Sequence, residues 1–389
     1  MKKLVAIAAS AVLAVSAIAF AACSNNNGDE AAKLPQAPSG KYEEVDTTDA
    51  EKKEELVETA TEKFDLTKMF GDMSAQGWSF GLASDRTVKF EASGKMLGVL
   101  SASGQTEDVN FNANVALTDA MKVKAVASGT ADSTVPVNLS AAEEMKIKGS
   151  ADLPDMVYLM LGKQGDTIKE LVKSFDYTVS EYLDSGKVYY NVPSDVVEKL
   201  PEDVKLPEDG KFMMDNTGML SHLEIPLFGN LQINVGQYVE MVIGMMNAFD
   251  VSVSVSTDNG YTVKLNAGLE SAYKFAADRL GMPEAALEGL VGGYVKDIST
   301  CKIEAYLSVD EDGLFRGLGV SLNVAASTEL AAGKIALGSP AINASAKLQI
   351  GFSVSKFDGN IQLPSDLDSY VDIKEFNSSL GSGNSKEND

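Results

Sequence analysis

Histidine is nearly absent from this 389-residue chain: His222 is the only one. Cysteine occurs twice, at Cys23 and Cys301, and tryptophan once, at Trp78. One histidine and two distant cysteines cannot assemble the usual zinc ligand set. A nucleophilic triad needs a base held by an acid. Ser221-His222 with Glu224 lacks the G-x-S-x-G elbow, so His222 reads as a polar strand residue. There is no P-loop and no dinucleotide-binding glycine pattern. Asp310-Glu311-Asp312-Gly313 lacks the twelfth-position acid of a calcium loop and reads as a hairpin turn. No catalytic constellation and no metal site emerge, and the chain reads as a non-enzyme.

Cations are also in the minority. Lys+Arg number 33 against Asp+Glu 56, a formal net charge of −23. This balance argues against nucleic acid, whose affinity comes chiefly from phosphate neutralisation, and against electrostatic docking on anionic lipid. The acids are dispersed beyond the stretch Tyr42 to Glu62, which is the pattern of a soluble surface. With Cys23 set aside, Cys301 has no intrachain partner. It opens the alternating run Cys301, Ile303, Ala305, Leu307, Val309 and reads as a small buried hydrophobe. Without a disulfide framework, stability must come from an apolar core.

Only one long apolar run begins the chain, Leu4 to Ala22, and it follows Met1-Lys2-Lys3. A basic start, an apolar centre and small residues before a cut form a secretory signal. The run ends Phe20-Ala21-Ala22-Cys23, which resembles the lipobox of bacterial lipoproteins; Phe20 stands where that family usually carries Leu, Val or Ile. The resemblance implies a covalent diacylglycerol and an acyl chain on Cys23, with no other cofactor. Two alternatives remain open, a plain signal cut near Ala22 and an uncleaved anchor just long enough to span a bilayer. All three put the body outside the cytoplasm, since Lys2 and Lys3 hold the start inside. A lipidated Cys23 would moor the chain to a bacterial membrane, two or more acyl chains holding firmly where one does not. Residues 1–22 are then a signal peptide and 23–46 a tether rich in Asn, Gly, Ala, Pro and acids, about 25–30 Å in root-mean-square span.

The body, residues 47–376, is dominated by period two. Val251, Val253 and Val255 alternate with serines, and Tyr261, Val263 and Leu265 alternate with polar residues. Between them stands Thr257-Asp258-Asn259-Gly260, a hairpin signal. The same pattern recurs at 88–93, 109–118, 121–125, 145–149, 303–309, 318–324 and 342–354. Each such strand has one apolar and one polar face, as in a sheet buried on one side. The fold class expected is mainly β with a few helices, a large curved antiparallel sheet forming a half-barrel or open barrel. A division into similar halves, about 47–230 and 231–376, is also open. Residues 377–389 read as a polar, disordered tail.

Helices are expected at Asp49–Met73, Asp166–Ser174, Ser194–Leu200, Asn234–Phe249, Leu269–Leu280 and Glu284–Val295. The fourth is apolar nearly all round and is expected inside the body. Methionines gather between Met156 and Met246, among them Met160, Met213, Met214 and Met219. Methionine adapts to varied apolar surfaces, so Tyr238, Met241, Val242, Met245, Met246 and Phe249 are the candidate ligand-binding residues; plain core packing is the other reading of the same side chains.

Lipobox, tether and curved sheet with interposed helices resemble, in architecture, the half-barrel lipid and lipoprotein carriers of cell envelopes (the LolA/LolB and LppX/LprG type). Lys187-Val188-Tyr189-Tyr190-Asn191-Val192-Pro193 before a short helix resembles a strand-to-helix step in them. The resemblance implies a membrane-anchored envelope lipoprotein that binds an apolar ligand such as acyl chains. The alternative is a surface-exposed structural or host-interacting lipoprotein with a filled core. A transmembrane β-barrel fits poorly, because the chain ends Lys386-Glu387-Asn388-Asp389 and offers one tryptophan for an aromatic girdle.

Overall fold

The computed structural model describes residues 34–65, 69, 78–100, 106–127, 137–153, 158, 169, 172–198, 205–215, 235–334 and 340–383. Cys23 and His222 lie outside the described residues, as does most of the helix expected at 166–174.

Among the described residues one sheet of 13 strands carries the fold. In chain order the strands are β1 (Glu43–Val45), β2 (Ser79–Leu100), β3 (Thr106–Ala127), β4 (Val137–Asp152), β5 (Phe175–Asp184), β6 (Lys187–Asn191) and β7 (Lys211–Asp215). They continue as β8 (Ser252–Ser256), β9 (Tyr261–Ala267), β10 (Asp297–Val309), β11 (Phe315–Leu330), β12 (Ala341–Lys356) and β13 (Val371–Asp372). Two meanders, β2 to β7 and β8 to β12, join where β12 pairs antiparallel with β2 over Ala341–Lys356 and Leu82–Leu97. β1 closes one flank on β8, and β13 lies parallel to β7 on the other. Among the described residues the edge strands β1 and β13 do not pair with each other, so the sheet is open. The expected fold class stands: mainly β, one large sheet, a few helices.

Cross-strand partners share a face, so the register carries the alternation from strand to strand. Val253, Leu265, Ala305, Val320 and Phe352 are successive partners from β8 to β12. Leu322, Ile350, Val88, Leu117, Ile147 and Tyr177 continue that apolar face from β11 to β5. The β8–β9 turn falls at the Asn-Gly pair: Asn259 has φ 55° and Gly260 φ 123°. A Cβ on Gly260 would come within 2.2 Å of the Val309 carbonyl oxygen, so only glycine lets β9 close against β10. At the β10–β11 turn, Asp310 accepts from the amides of Asp312 and Leu314, at 3.0 and 2.9 Å. The acidic turn is therefore a structural cap, as its sequence suggests.

Among the described residues six α-helices accompany the sheet: α1 (Ala50–Lys63), α2 (Ser194–Val197), α3 (Val235–Ala248), α4 (Leu269–Leu280), α5 (Glu284–Gly292) and α6 (Ile373–Gly383). α1 ends at Lys63 with Phe64 as its C-cap, and most of the remainder of the expected span, 66–73, lies outside the described residues. The N-terminus of α1 is fixed by Asp49, which accepts from the Glu51 and Lys52 amides at 3.0 and 3.4 Å. α6 takes in residues 377–383, which composition assigned to a tail; Asp372 caps it through the Lys374 amide at 2.8 Å.

Of the 23–46 segment, residues 34–42 lie on the polar face against Lys264, Glu304 and Ser321, and Glu43–Val45 join the sheet as β1. Lys41 donates its amide to Asp258 at 2.7 Å, and the Tyr42 hydroxyl donates to the Pro38 carbonyl at 2.8 Å. Lys264 stands 4.5 Å from the centre of the Tyr42 ring. Beneath this strap, the buried hydroxyls of Thr262 and Ser308 pair at 2.8 Å.

Candidate functional site

α1 and α3 touch each other and lie on the apolar face over β8 to β11. On α1, Leu56, Ala60 and Phe64 recur at four-residue spacing and form one stripe. On α3, Ile243 is 1% exposed and Met246 is buried beside it. Asn247 ties the end of α3 to the strand–helix junction: its amide donates to the Thr47 carbonyl at 3.1 Å, and its carbonyl oxygen accepts from the Thr47 hydroxyl.

Between these helices and the sheet runs an apolar cleft of about 300 Å³. Leu56, Ala60 and Phe64 form one wall, Val242, Ile243 and Met246 another. Val253, Val263, Leu265, Ala305, Leu307 and Val320 form the floor. Its size is at the lower end of small-molecule sites, about 300–1,000 Å³. Below Phe64, whose ring centre is 5.4 Å from that of Tyr261, burial pushes the Tyr261 hydroxyl up to about 12, with the Glu55 carboxylate adding to the shift. The hydroxyl therefore stays protonated at neutral pH.

Of the candidate residues, Val242 and Met246 line the cleft. Met241 and Met245, 52% and 48% exposed, point outward from the same helix. Phe249 stacks edge-on against Phe275, with ring centres 5.4 Å apart, and does not line the cleft. The side chain of Tyr238 lies outside the described residues, as do Met156, Met160 and Met219. Met213 and Met214 sit on β7, in the other meander. α3 is thus not enclosed by the body. A helix of 14 residues is about 21 Å long, and it rests on an open sheet that covers one side of it only. The α1 stripe and the sheet floor are not among the candidate ligand-binding residues, although each reads from the sequence as an apolar face. Their signals were present, a helical period of four and a strand period of two, but neither indicates which faces meet.

The apolar face extends beyond the helices. Val320, Ile350 and Phe352 are exposed on it, and Val320 belongs to the cleft. α1 and α3 lie over β8 to β11, and Ile350 and Phe352 on β12 stand beyond them, exposed. Across the opposite face, β10 to β12, β2 and β3 frame a polar hollow of about 840 Å³, with Ser93, Asn112, Ser327 and Ser345 in register along it. Cys301 is a free, half-buried thiol held above its ordinary pKa by burial. Among the described residues no helix is long and apolar enough to cross a membrane, and no three acidic, histidine or cysteine side chains converge on a metal position.

No family model matches the chain, and no curated protein matches it. Solved structures offer only faint likeness. The secretin InvG of the Salmonella SPI-1 type III secretion injectisome aligns over 80% of this chain and 74% of its own, with 9% identity and a TM-score of 0.13. The basal-body structure of InvG, PrgH and PrgK gives the same identity and score over 52% of its chain. The InvG secretin-domain β-barrel gives a TM-score of 0.11 and 9% identity over 87% of this chain and 75% of that one. Scores of this size define no shared fold.

Proposed function

We propose that this chain is a non-enzymatic, membrane-anchored envelope lipoprotein, outside the cytoplasm, that holds an apolar ligand such as an acyl chain between α1, α3 and the sheet. The observation that carries this reading is the cleft of about 300 Å³ whose walls and floor are almost wholly apolar, continuous with exposed Val320 and Phe352. A filled core would leave no such space, and a soluble surface rarely leaves large apolar side chains contiguous without a partner for them. The exposed methionines of α3 suit a surface that adapts to variable apolar shapes. The anchor rests on Phe20-Ala21-Ala22-Cys23.

The test is native mass spectrometry of the purified chain against its Ala305→Trp variant, which puts an indole into the cleft floor. Wild type should carry apolar mass that the variant has lost. A wild type free of adducts, with unchanged behaviour towards added fatty acid, would favour the structural reading instead. For the anchor, acyl labelling should disappear in Cys23→Ala; labelling that persists overturns the lipobox assignment.

A further inference from the structure

The apolar face is interrupted by one charged row. Its positions should be apolar by alternation: Arg86 follows Ser84 and precedes Val88, Asp119 lies between Leu117 and Met121, Glu143 between Ala141 and Met145, and Glu181 between Val179 and Leu183. The register brings them together, since Arg86 pairs with Asp119 and Glu143 with Glu181. The Arg86 guanidinium contacts Asp119 Oδ2 and reaches Glu143 Oε1 at 2.8 Å. The Tyr190 hydroxyl on β6 donates to Glu181.

One cation thus faces three carboxylates. Asp119 is buried, its side chain 3% exposed, and its Oδ1 has no hydrogen-bond partner. A buried carboxylate oxygen without a donor is costly. The shortfall is of positive charge and of donors. A metal ion does not fit, for no three such side chains among the described residues converge on one. An ammonium group, with three donors and one charge, fits both deficits.

The row also adjoins the cleft. Arg86 lies directly opposite Phe352, Phe352 opposite Val320, and Val320 opposite Ala305 in the cleft floor. Three strand spacings separate Val320, at the edge of the cleft, from Asp119, about 14 Å, the length of an extended ten-carbon chain with its head group. We infer that the ligand is an amphiphile with an ammonium head, its chain in the cleft and along β11 and β12, its head against Asp119, Glu143 and Glu181. This assignment rests on the proposed apolar-ligand function and adds the chemistry of the head group.

The experiment is calorimetric titration of the full-length chain carrying Cys23→Ser, at neutral pH and physiological salt, with decylammonium, decanoate and 1-decanol below their micelle concentrations. Decylammonium should bind at least tenfold more tightly than the other two. Asp119→Asn with Glu143→Gln should bring it to the level of decanol and leave decanol unchanged. If that pair does not fold, Glu181→Gln alone should lower the ammonium preference severalfold. Equal binding of all three amphiphiles, or a preference that survives these substitutions, overturns the head-group assignment while the cleft reading stands. Binding of none of them overturns both.

Discussion

Tyr306 and Gly319 face each other across the β10–β11 ladder, and the tyrosine ring lies over the glycine. A Cβ at 319 would come within 2.4 Å of the ring's Cε1 and 2.8 Å of its Cζ. Gly319 has an ordinary strand backbone, so the constraint is the ring and not the dihedral. Gly319→Ala should therefore displace Tyr306 and lower stability by about 1–3 kcal/mol, the usual cost of overpacking. The check is a double-mutant cycle with Tyr306→Ala. Once the ring is removed, Gly319→Ala should cost little, and full additivity would show that the two side chains do not compete.

Helix α3 offers an internal contrast. Ile243 is buried at its contact with α1 and β8, whereas Met241 is more than half exposed two residues earlier. Ile243→Ala should lower unfolding free energy by about 2–5 kcal/mol through lost burial and an enlarged void. Met241→Ala should stay within about 0.5 kcal/mol. Urea unfolding of both variants decides it. Comparable losses would mean that α3 is enclosed on both sides.

The acidic row sets a pH dependence whose sign follows from burial. Burial raises the Glu181 carboxyl above its ordinary 4.5, against the pull of the Tyr190 hydrogen bond. Burial, followed by its neighbour Asp119, raises Glu143 despite Arg86. Between 4.5 and the raised value the folded chain holds more protons than the unfolded one, so stability falls as pH rises through that window. Glu181→Gln should match wild type near pH 4 and exceed it at pH 7. Asp108 and Asp366, held low by Lys95 and Lys211, act in the opposite sense but are common to both proteins and cancel. Denaturant midpoints at the two pH values test this; a variant less stable at pH 7 would show that ionised Glu181 is favoured by the fold.

Much of the sheet was legible because its rule is local. Val251, Val253 and Val255 declare their face within five residues, and Asn259-Gly260 declares the turn that follows. The β12–β2 pairing was not legible. Lys347 opposite Glu91 and Leu348 opposite Phe90 join segments far apart in the chain, and no turn between them sets the register. The same limit hid the charged row. Arg86, Asp119, Glu143 and Glu181 each look like one exception in one strand, and only the ladder aligns them. For α3 the composition misled: a helix apolar on every side reads as enclosed, yet an open sheet lets Met241 and Met245 stay exposed. Val242 and Met246 read from the apolar, methionine-rich helix; Leu56, Ala60 and Phe64 read as one stripe of α1, but that this stripe faces α3 follows only from the packing.

The strap across the polar face makes the last prediction. Lys41 gives its amide to Asp258, Tyr42 packs under Lys264, and Glu43–Val45 pair with β8. Asp258→Ala removes the acceptor of the Lys41 amide just before β1. Hydrogen exchange at Lys41 and at Glu43–Val45 should then rise about fivefold, the equivalent of about 1 kcal/mol for one hydrogen bond. Exchange in β10 and β11 should not change. If the amides of β1 are unaffected, strand pairing alone holds the segment. The strap also bears on the proposed anchorage. With Leu34 already against Gly351 on β12, about ten residues separate it from Cys23, a reach of at most about 36 Å fully extended. A lipidated chain would hold this face of the sheet within that distance of the membrane surface. A label on exposed Ser39 should report proximity to bilayer quenchers in the lipidated protein and lose it in Cys23→Ala.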